Sequence, residues 1–265
     1  ITLTIEDSLQ LAAGSFNVPS MSKPPRFFIP PEQVREPCIT VTGDDLRHIR
    51  TVLRKQPGDL LTLLDGRGME YIVRIRTMER LEIDTEIVEQ RKRELPTVRV
   101  TLGQGLPKSD KMDFIVQKAA ELGVSSIEPL ITERTIVKIK DEEKRVARWQ
   151  KIVREAAMQS DRPDIPQVKT IRTFDEFIST LVPGPQTLLL IPWEEGTVPI
   201  KHVLRQTPGA QNIVVLIGPE GGFSRAEADA AKARGFHLVS LGPNILRTET
   251  AAIAVMSIIG YAFSR

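Results

Sequence analysis

A single cysteine, Cys38, excludes a disulfide within the chain and any cysteine-based zinc site, and it fits a protein of the reducing cytosol. The three histidines, His48, His202 and His237, lie far apart and show no metal-ligand spacing, so no metal is expected. Neither sign of charge dominates. The 36 Lys and Arg against 34 Asp and Glu leave +2, too little for composition alone to announce a nucleic-acid binder. No apolar run approaches the roughly 20 residues needed to span a bilayer. The longest covers residues 251–263, so no membrane partner is expected. The first twenty residues hold no Lys or Arg and include Glu6 and Asp7, which excludes the basic start of a secretory signal and the arginines of a transit peptide. Met21 reads as a natural start, with residues 1–25 an extension whose default expectation is disorder.

Three nucleotide and hydrolase signatures are also missing. Gly218-Pro219-Glu220-Gly221-Gly222 lacks the Gly-Lys-Ser or Gly-Lys-Thr of a phosphate loop. Gly103-Gln104-Gly105 opens like a dinucleotide motif, but the sixth position is Lys108. No G-x-S-x-G elbow supports a serine nucleophile.

What the chain does have is a change of period. From Arg26 to about Gln90 the signals are short and β-like, with alternation through Tyr71, Val73 and Ile75. A charge run and a proline, Arg91 to Pro96, place a linker there, giving a β-rich domain over 26–93 and a second domain over 97–265. In the second, strands at 98–102, 126–131, 187–191, 213–217 and 236–241 alternate with helices. The helices are expected over 110–122, ended by Gly123, over 141–159, over the segment opened by the capping box Ser224 to Glu227 and closed by Gly235, and over 251–263. Alternating β and α elements imply an α/β domain with a mostly parallel sheet covered on both faces. The last helix is apolar all round, so it must be buried in a core or between subunits.

Two loops follow buried strands near the C-terminus, where open α/β sheets collect ligands. One is Ile217, Gly218, Pro219, Glu220, Gly221 and Gly222. The other runs from Leu241 and Gly242 through Asn244, Ile245 and Leu246 to Arg247, Glu249, Thr250 and Ala251. A glycine turn carrying an acid suits a neutral or cationic ligand group better than a phosphate. A plain strand-to-helix turn fits the first loop alone, and a mutual ion pair or a helix cap fits Arg247 and Glu249. Between Arg134 and Arg162 nine basic residues face five acidic ones. Arg145, Arg148, Lys151, Arg154 and Arg162 could line a phosphate track or only a solvated face. Arg47, His48, Arg50, Arg54 and Lys55 form a second basic group.

Several spaced motifs occur together: Arg26-Phe27-Phe28, His48 with Val52-Leu53-Arg54, Lys108-Ser109-Asp110-Lys111, Lys118 to Gly123, Arg154-Glu155-Ala156-Ala157 with Gln159-Ser160, Gly218 to Gly222, and Ile245 to Ala251. In this order, over about residues 26–263, they resemble the RsmE family, 16S ribosomal RNA methyltransferases of the SPOUT class that modify N3 of a uridine. The resemblance implies a PUA-like β-barrel that helps hold RNA, followed by a trefoil-knot methyltransferase domain working as a homodimer on ribosomal RNA or the small ribosomal subunit. It implies S-adenosylmethionine as cofactor, bent across Leu190, Ile191, Pro192, Trp193 and Glu194 and the two loops above, with Gly221→Val abolishing its binding. Arg247, then Arg154, are the candidates to stabilise negative charge on the uracil, and Glu249 is the candidate proton acceptor. RNA contacts are expected from Arg26, His48, Arg54, Lys108, Lys111, Arg134, Arg154, Gln159 and Arg162. A ribose 2′-O-methyltransferase and a non-catalytic RNA-binding assembly factor are the alternatives. The sequence departs from the family pattern at Asn244, where arginine is common, at Thr135, where serine is common, and at Asp161, which interrupts a Gln-Ser-Gly-Arg-like run.

Overall fold

The structure is a computed structural model that describes residues 23–108, 110–137, 140–196 and 198–263; the expected N-terminal extension lies outside the described residues up to position 22. The first unit is built on β1 (Arg26–Phe28), β2 (Val34–Arg35), β3 (Cys38–Thr42), α1 (Asp44–Arg47), β4 (Leu60–Leu64), β5 (Met69–Met78) and β6 (Glu82–Lys92). These strands form a six-stranded sheet in the order β1-β4-β5-β6-β3-β2, antiparallel except where β1 runs parallel to β4. Alternation decides its faces. Tyr71, Val73 and Ile75 turn inward to meet Leu61, Leu63, Ile39 and Ile83, while Arg74 and Arg76 turn outward.

The second unit contains β7 (Arg99–Gly105), α2 (Lys111–Glu121), β8 (Ser126–Ile131), α3 (Glu142–Gln159), β9 (Gln167–Val168), β10 (Arg172–Thr173), α4 (Phe174–Thr180), β11 (Thr187–Pro192), β12 (Val198–Pro199), α5 (Ile200–Gln206), β13 (Asn212–Ile217), α6 (Arg225–Ala233), β14 (His237–Ser240) and α7 (Thr248–Phe263). Its sheet runs β10-β8-β7-β13-β11-β14-β12 with every pairing parallel, and β9 adds to β8. The expected α/β architecture with a mostly parallel sheet is therefore present. Both faces are covered: Val100, Leu102, Leu188, Ile213 and Val215 meet α2, α3 and α7 on one side, and Leu189, Val214 and Leu216 meet Phe177, Phe223 and Ala231 on the other. The capping box of α6 forms as expected, with Ser224 Oγ accepting from Glu227 N at 3.2 Å and Glu227 accepting from Ser224 N at 2.8 Å. Gly123 and Gly235 take φ +91° as helix-ending residues.

The two units are joined by packing and by charge. Phe28 and Leu64 bury against Ala157 of α3. Arg154 on α3 donates to the Phe28 carbonyl and to Asp45. Glu70, 1% exposed, accepts from Arg26 at 2.9 Å, from Arg93 at 2.9 Å and from Arg91. Arg26 and Arg93 also reach Asp161 just beyond α3. Asp161 has φ +59°, a backbone setting that glycine takes without cost and aspartate tolerates. Its carboxylate faces two arginines of the first unit, which offsets that cost.

Burial pushes the Glu70 carboxyl up, but its arginine hydrogen bonds outweigh this and hold it below the ordinary value of 4.5. A depressed folded-state pKa gives stability that is present above the unfolded value and lost as pH falls through the folded one. Melting temperature should therefore drop on acidification below pH 4.5, and Glu70→Gln should flatten that drop. At neutral pH the same substitution should cost on the order of 2–3 kcal/mol, less than a fully buried pair because Arg91 is half exposed. Thermal and urea unfolding at pH 7 and pH 4 measure both effects; an unchanged acid dependence would contradict the assignment.

Candidate functional site

Parallel strands deliver their C-terminal ends to one edge of the sheet, and β13, β11 and β14 are neighbours there. The loops that follow them meet in one cleft of about 950 Å³ including its open mouth. Pro192, Trp193 and Glu194 line it after β11, Ile217, Gly218, Pro219, Glu220, Gly221, Gly222 and Phe223 after β13, and Ser240, Leu241, Gly242, Pro243, Asn244, Ile245, Leu246, Thr248 and Ala251 after β14.

The structure brings the three expected loops together, and two of the residues expected to bind there are not among those that line the cleft. Leu190 does not line the cleft, because it sits two positions before the end of β11 and its side chain is 0% exposed in the core. Thr250, on the first turn of α7, does not line it either, although Thr248 and Ala251 on either side of it do. Phe223 and Ser240 complete the wall and were not anticipated. Phe223 could have been found, since it directly precedes the α6 cap.

The loop after β13 is tightly wound. Gly222 N donates to Pro219 O at 2.9 Å and Gly222 takes φ +67°. A Cβ at Gly218 would lie 2.7 Å from the carbonyl carbon of Gly222, whereas one at Gly221 would meet only the Arg134 side chain at 3.3 Å. The crowded glycine is therefore Gly218, not Gly221. Arg134 closes the turn from outside by donating to Gly221 O at 2.7 Å. The β14 loop is held to it at Thr248, whose Oγ1 donates to Gly218 O at 2.6 Å.

Among the described residues, Glu220 and Glu249 by the cleft are paired, whereas Glu194 and Arg247 are not. Glu220 accepts from Lys108 N at 3.0 Å and from Lys111 Nζ at 3.0 Å. Partial burial pushes the Glu220 carboxyl up, but backbone and lysine hydrogen bonds prevail and hold it below its ordinary value. The same hydrogen bond to Glu220 raises Lys111, opposed by slight desolvation and helped by Glu249. Lys111 Nζ lies 3.6 Å from Glu249 Oε2, a buried oxygen with no hydrogen-bond partner among the described residues. Arg247, between two residues that line the cleft, is exposed and has no side-chain partner among the described residues. Arg247 and Glu249 thus do not pair with each other.

Arg154 does not join them. It lies in a separate groove between the two units with His48 and Gln159, bound to the Phe28 carbonyl and Asp45. Six carboxylates, Asp44, Asp45, Asp110, Asp113, Glu121 and Glu155, line that groove against Arg47, Lys151 and Arg154, so it is no continuous phosphate track. Arg162 is a second departure from the track. It is 8% exposed and donates to the carbonyls of Ala120 and Val124 at 2.8 Å and to Asp164, so it ties α2 to the end of α3. Arg26 is likewise engaged by Glu70 and Asp161. Arg54, Lys108, Arg134, His48 and Gln159 are exposed. Among the described residues no three His, Cys, Asp or Glu side chains are grouped to hold a metal ion. Among the described residues no helix is long and apolar enough to cross a membrane.

Comparison with known proteins places this arrangement. A family described as RNA methyltransferase domain matches residues 93–260, and one described as RNA methyltransferase PUA domain matches 41–88. A ribosomal RNA small subunit methyltransferase E of Synechocystis sp. is 36% identical over 88% of this chain and 76% of its own length. The protein of that name from Bacillus subtilis is 31% identical over 89% and 96%. A solved ribosomal RNA small subunit methyltransferase E from Neisseria gonorrhoeae, bound to S-adenosyl methionine, superposes with a TM-score of 0.80 at 35% identity, covering 90% of this chain and 97% of that one.

The crowding at Gly218 yields a contrast between neighbouring glycines. Gly218→Ala should destabilise by about 1–3 kcal/mol because backbone must move, while Gly221→Ala should cost less than 1 kcal/mol because Arg134 can shift. Denaturant midpoints of the two variants check the order; equal losses would contradict it.

Proposed function

The chain belongs to the family of ribosomal RNA small subunit methyltransferases E, and from that membership we propose that it transfers a methyl group from S-adenosylmethionine to N3 of a uridine in small-subunit ribosomal RNA. The observation that carries the reading is the three-loop cleft. Its glycine turns expose backbone groups, and Pro192, Trp193, Ile217, Leu241 and Leu246 supply apolar walls for a purine ring. Glu194 on the rim fits the hydroxyl or cationic end of the cofactor. The bound cofactor supplies an electrophilic methyl on a sulfonium; the protein positions it and manages the uridine.

The uridine imide must give up its N3 proton before it can attack in line. Glu249, whose buried Oε2 has Lys111 Nζ at 3.6 Å and no hydrogen-bond partner among the described residues, is the group in this reading that takes the proton. Arg247, exposed beside the cleft and unpaired, stabilises the charge that spreads to the uracil oxygens. Arg154 serves the reaction from a distance, by fixing the first unit against α3, and is not itself catalytic. RNA is held by the exposed cations Arg54, Lys108 and Arg134, with His48 and Gln159 contacting it from the groove and Lys111 shared with Glu220 and Glu249.

Two further parts of the reading concern architecture. The C-terminal segment is threaded as a trefoil knot, a reading supported by the buried contact of Thr248 with Gly218. A second copy covers α7, which leaves Gly260, Tyr261 and Ala262 exposed beside an apolar groove lined by Leu95, Val98, Met256, Ile259 and Phe263. A cytoplasmic setting follows from the ribosomal substrate.

Labelled methyl transfer from S-adenosylmethionine to unmodified small subunits, followed by nucleoside mass spectrometry, tests the activity. N3-methyluridine is the expected product, and a ribose-methylated product would overturn the assignment. Arg247→Ala should lower kcat on the order of 100-fold with cofactor affinity within about threefold of the parent. An equal loss in cofactor binding measured by calorimetry would move Arg247 from the reaction to the cofactor site.

A further inference from the structure

Gly103-Gln104-Gly105 opens like a dinucleotide motif without completing it, and the structure shows another use for it. Gln104, at the end of β7, is 0% exposed. Its Nε2 donates to Thr248 Oγ1 at 2.9 Å and to Gly105 O at 2.9 Å, and it faces the carbonyls of Gly218 at 3.4 Å and Ile217 at 3.5 Å. Thr248 Oγ1 then donates to Gly218 O at 2.6 Å. Two amide hydrogens sit among four acceptors, so a side chain of equal size without donors would leave buried carbonyls facing one another. The flanking glycines bring the amide within reach. A Cβ at Gly103 would lie 2.6 Å from the Leu216 side chain, and one at Gly105 would lie 2.6 Å from the Pro219 ring.

We infer that Gln104 is a positioning residue for methyl transfer: its amide ties the loop after β13 to the first residue of α7, holding Arg247 and Glu249 in register with Gly218–Gly222. This rests on the proposed function. Gln104 does not line the cleft and acts only through Gly218 and Thr248. Thr248 is the link because it stands between Arg247 and Glu249 in the chain, so a shift at its hydroxyl moves both. A displacement of about 1 Å is enough to cost on the order of 100-fold in rate.

The test compares the parent with Gln104→Met, Thr248→Val, their double variant and Thr248→Ser, by calorimetry with S-adenosylmethionine, by kcat and KM on small subunits, and by thermal melts. Gln104→Met should raise the cofactor Kd on the order of tenfold and lower kcat at saturating substrates by at least as much, with KM for the subunit unchanged. The double variant should lose no more than the worse single one, because both remove the same tie. Thr248→Ser should restore most of what Thr248→Val loses. If Gln104→Met does not fold, the Thr248 pair carries the comparison alone. A folded Gln104→Met with parental Kd and kcat would overturn the inference, as would fully additive losses or a Thr248→Val of parental activity. A parent that binds no S-adenosylmethionine would instead remove the functional reading on which the inference stands.

Discussion

Where β7 ends and the loop after β13 begins, two backbones run too close for a side chain to lie between them. Pro219 packs onto the bare Cα of Gly105, and Gly218 turns back onto Gly222. This close approach fixes the path of the loop, and the loop fixes the floor of the cleft. It also places the Gly218 carbonyl where Thr248 can bond it, so the start of α7 is set by the same contact. The third wall follows from the sheet alone: β11 lies between β13 and β14, and its exit is pinned when Trp193 N donates to Val239 O at 2.9 Å. Methyl transfer of the kind proposed asks for this rigidity more than for reactive side chains, because the cofactor brings the leaving group and the protein must supply alignment.

The β-rich unit is held to this frame by a different sort of contact. Glu70 is buried among Arg26 of β1, Arg91 of β6 and Arg93 just after it, and Arg26 and Arg93 extend to Asp161 just beyond α3. Arg26, expected at RNA from the family resemblance, is engaged in this latch, and of the cations that sequence spacing suggested for a phosphate track Arg154 is engaged by Asp45 and Arg162 by Asp164 and two backbone carbonyls. A polyanion approaching the molecule therefore meets discrete exposed cations and a groove rich in carboxylates. Under the proposed function, such a surface favours RNA whose phosphates contact a few points over any duplex that lies along a uniform stripe.

How much of this was legible in the chain depends on the range of the interaction. The loops of the cleft announce themselves because glycine and proline directly follow apolar strands, and α6 is announced by Ser224 and Glu227 three residues apart. The parallel sheet follows from the alternation of elements. The two-residue strands β9, β10 and β12 were not legible, since no period exists over two residues. Helix α4 was missed although Thr173 and Glu176 form a capping box with the same spacing as that of α6. The contacts of Arg154 and Arg26 were not legible for a physical reason: their partners, Phe28 and Asp161, lie more than a hundred positions away. Asp161 reads as a break in the family pattern, yet its φ of +59° explains why glycine is common there and its ion pairs explain why aspartate serves here.

The paired charges around the cleft bear on Arg247, which has no partner among the described residues. Under the proposed function a negative uracil develops near Glu220 and Glu249, and either carboxylate left bare would oppose that charge. Lys111 sits between them, bonded to Glu220 at 3.0 Å and 3.6 Å from Glu249, and Lys108 N adds a further donor to Glu220. The acids are thus answered by a lysine and a backbone amide, and neither draws in Arg247. A guanidinium left exposed beside a cleft keeps its full charge for what enters there, whereas one already engaged would have to break a bond to act. Under the proposed function, the placement of Lys111 at the first turn of α2 is therefore part of the reason Arg247, and not one of the many other arginines, stays available to the uracil.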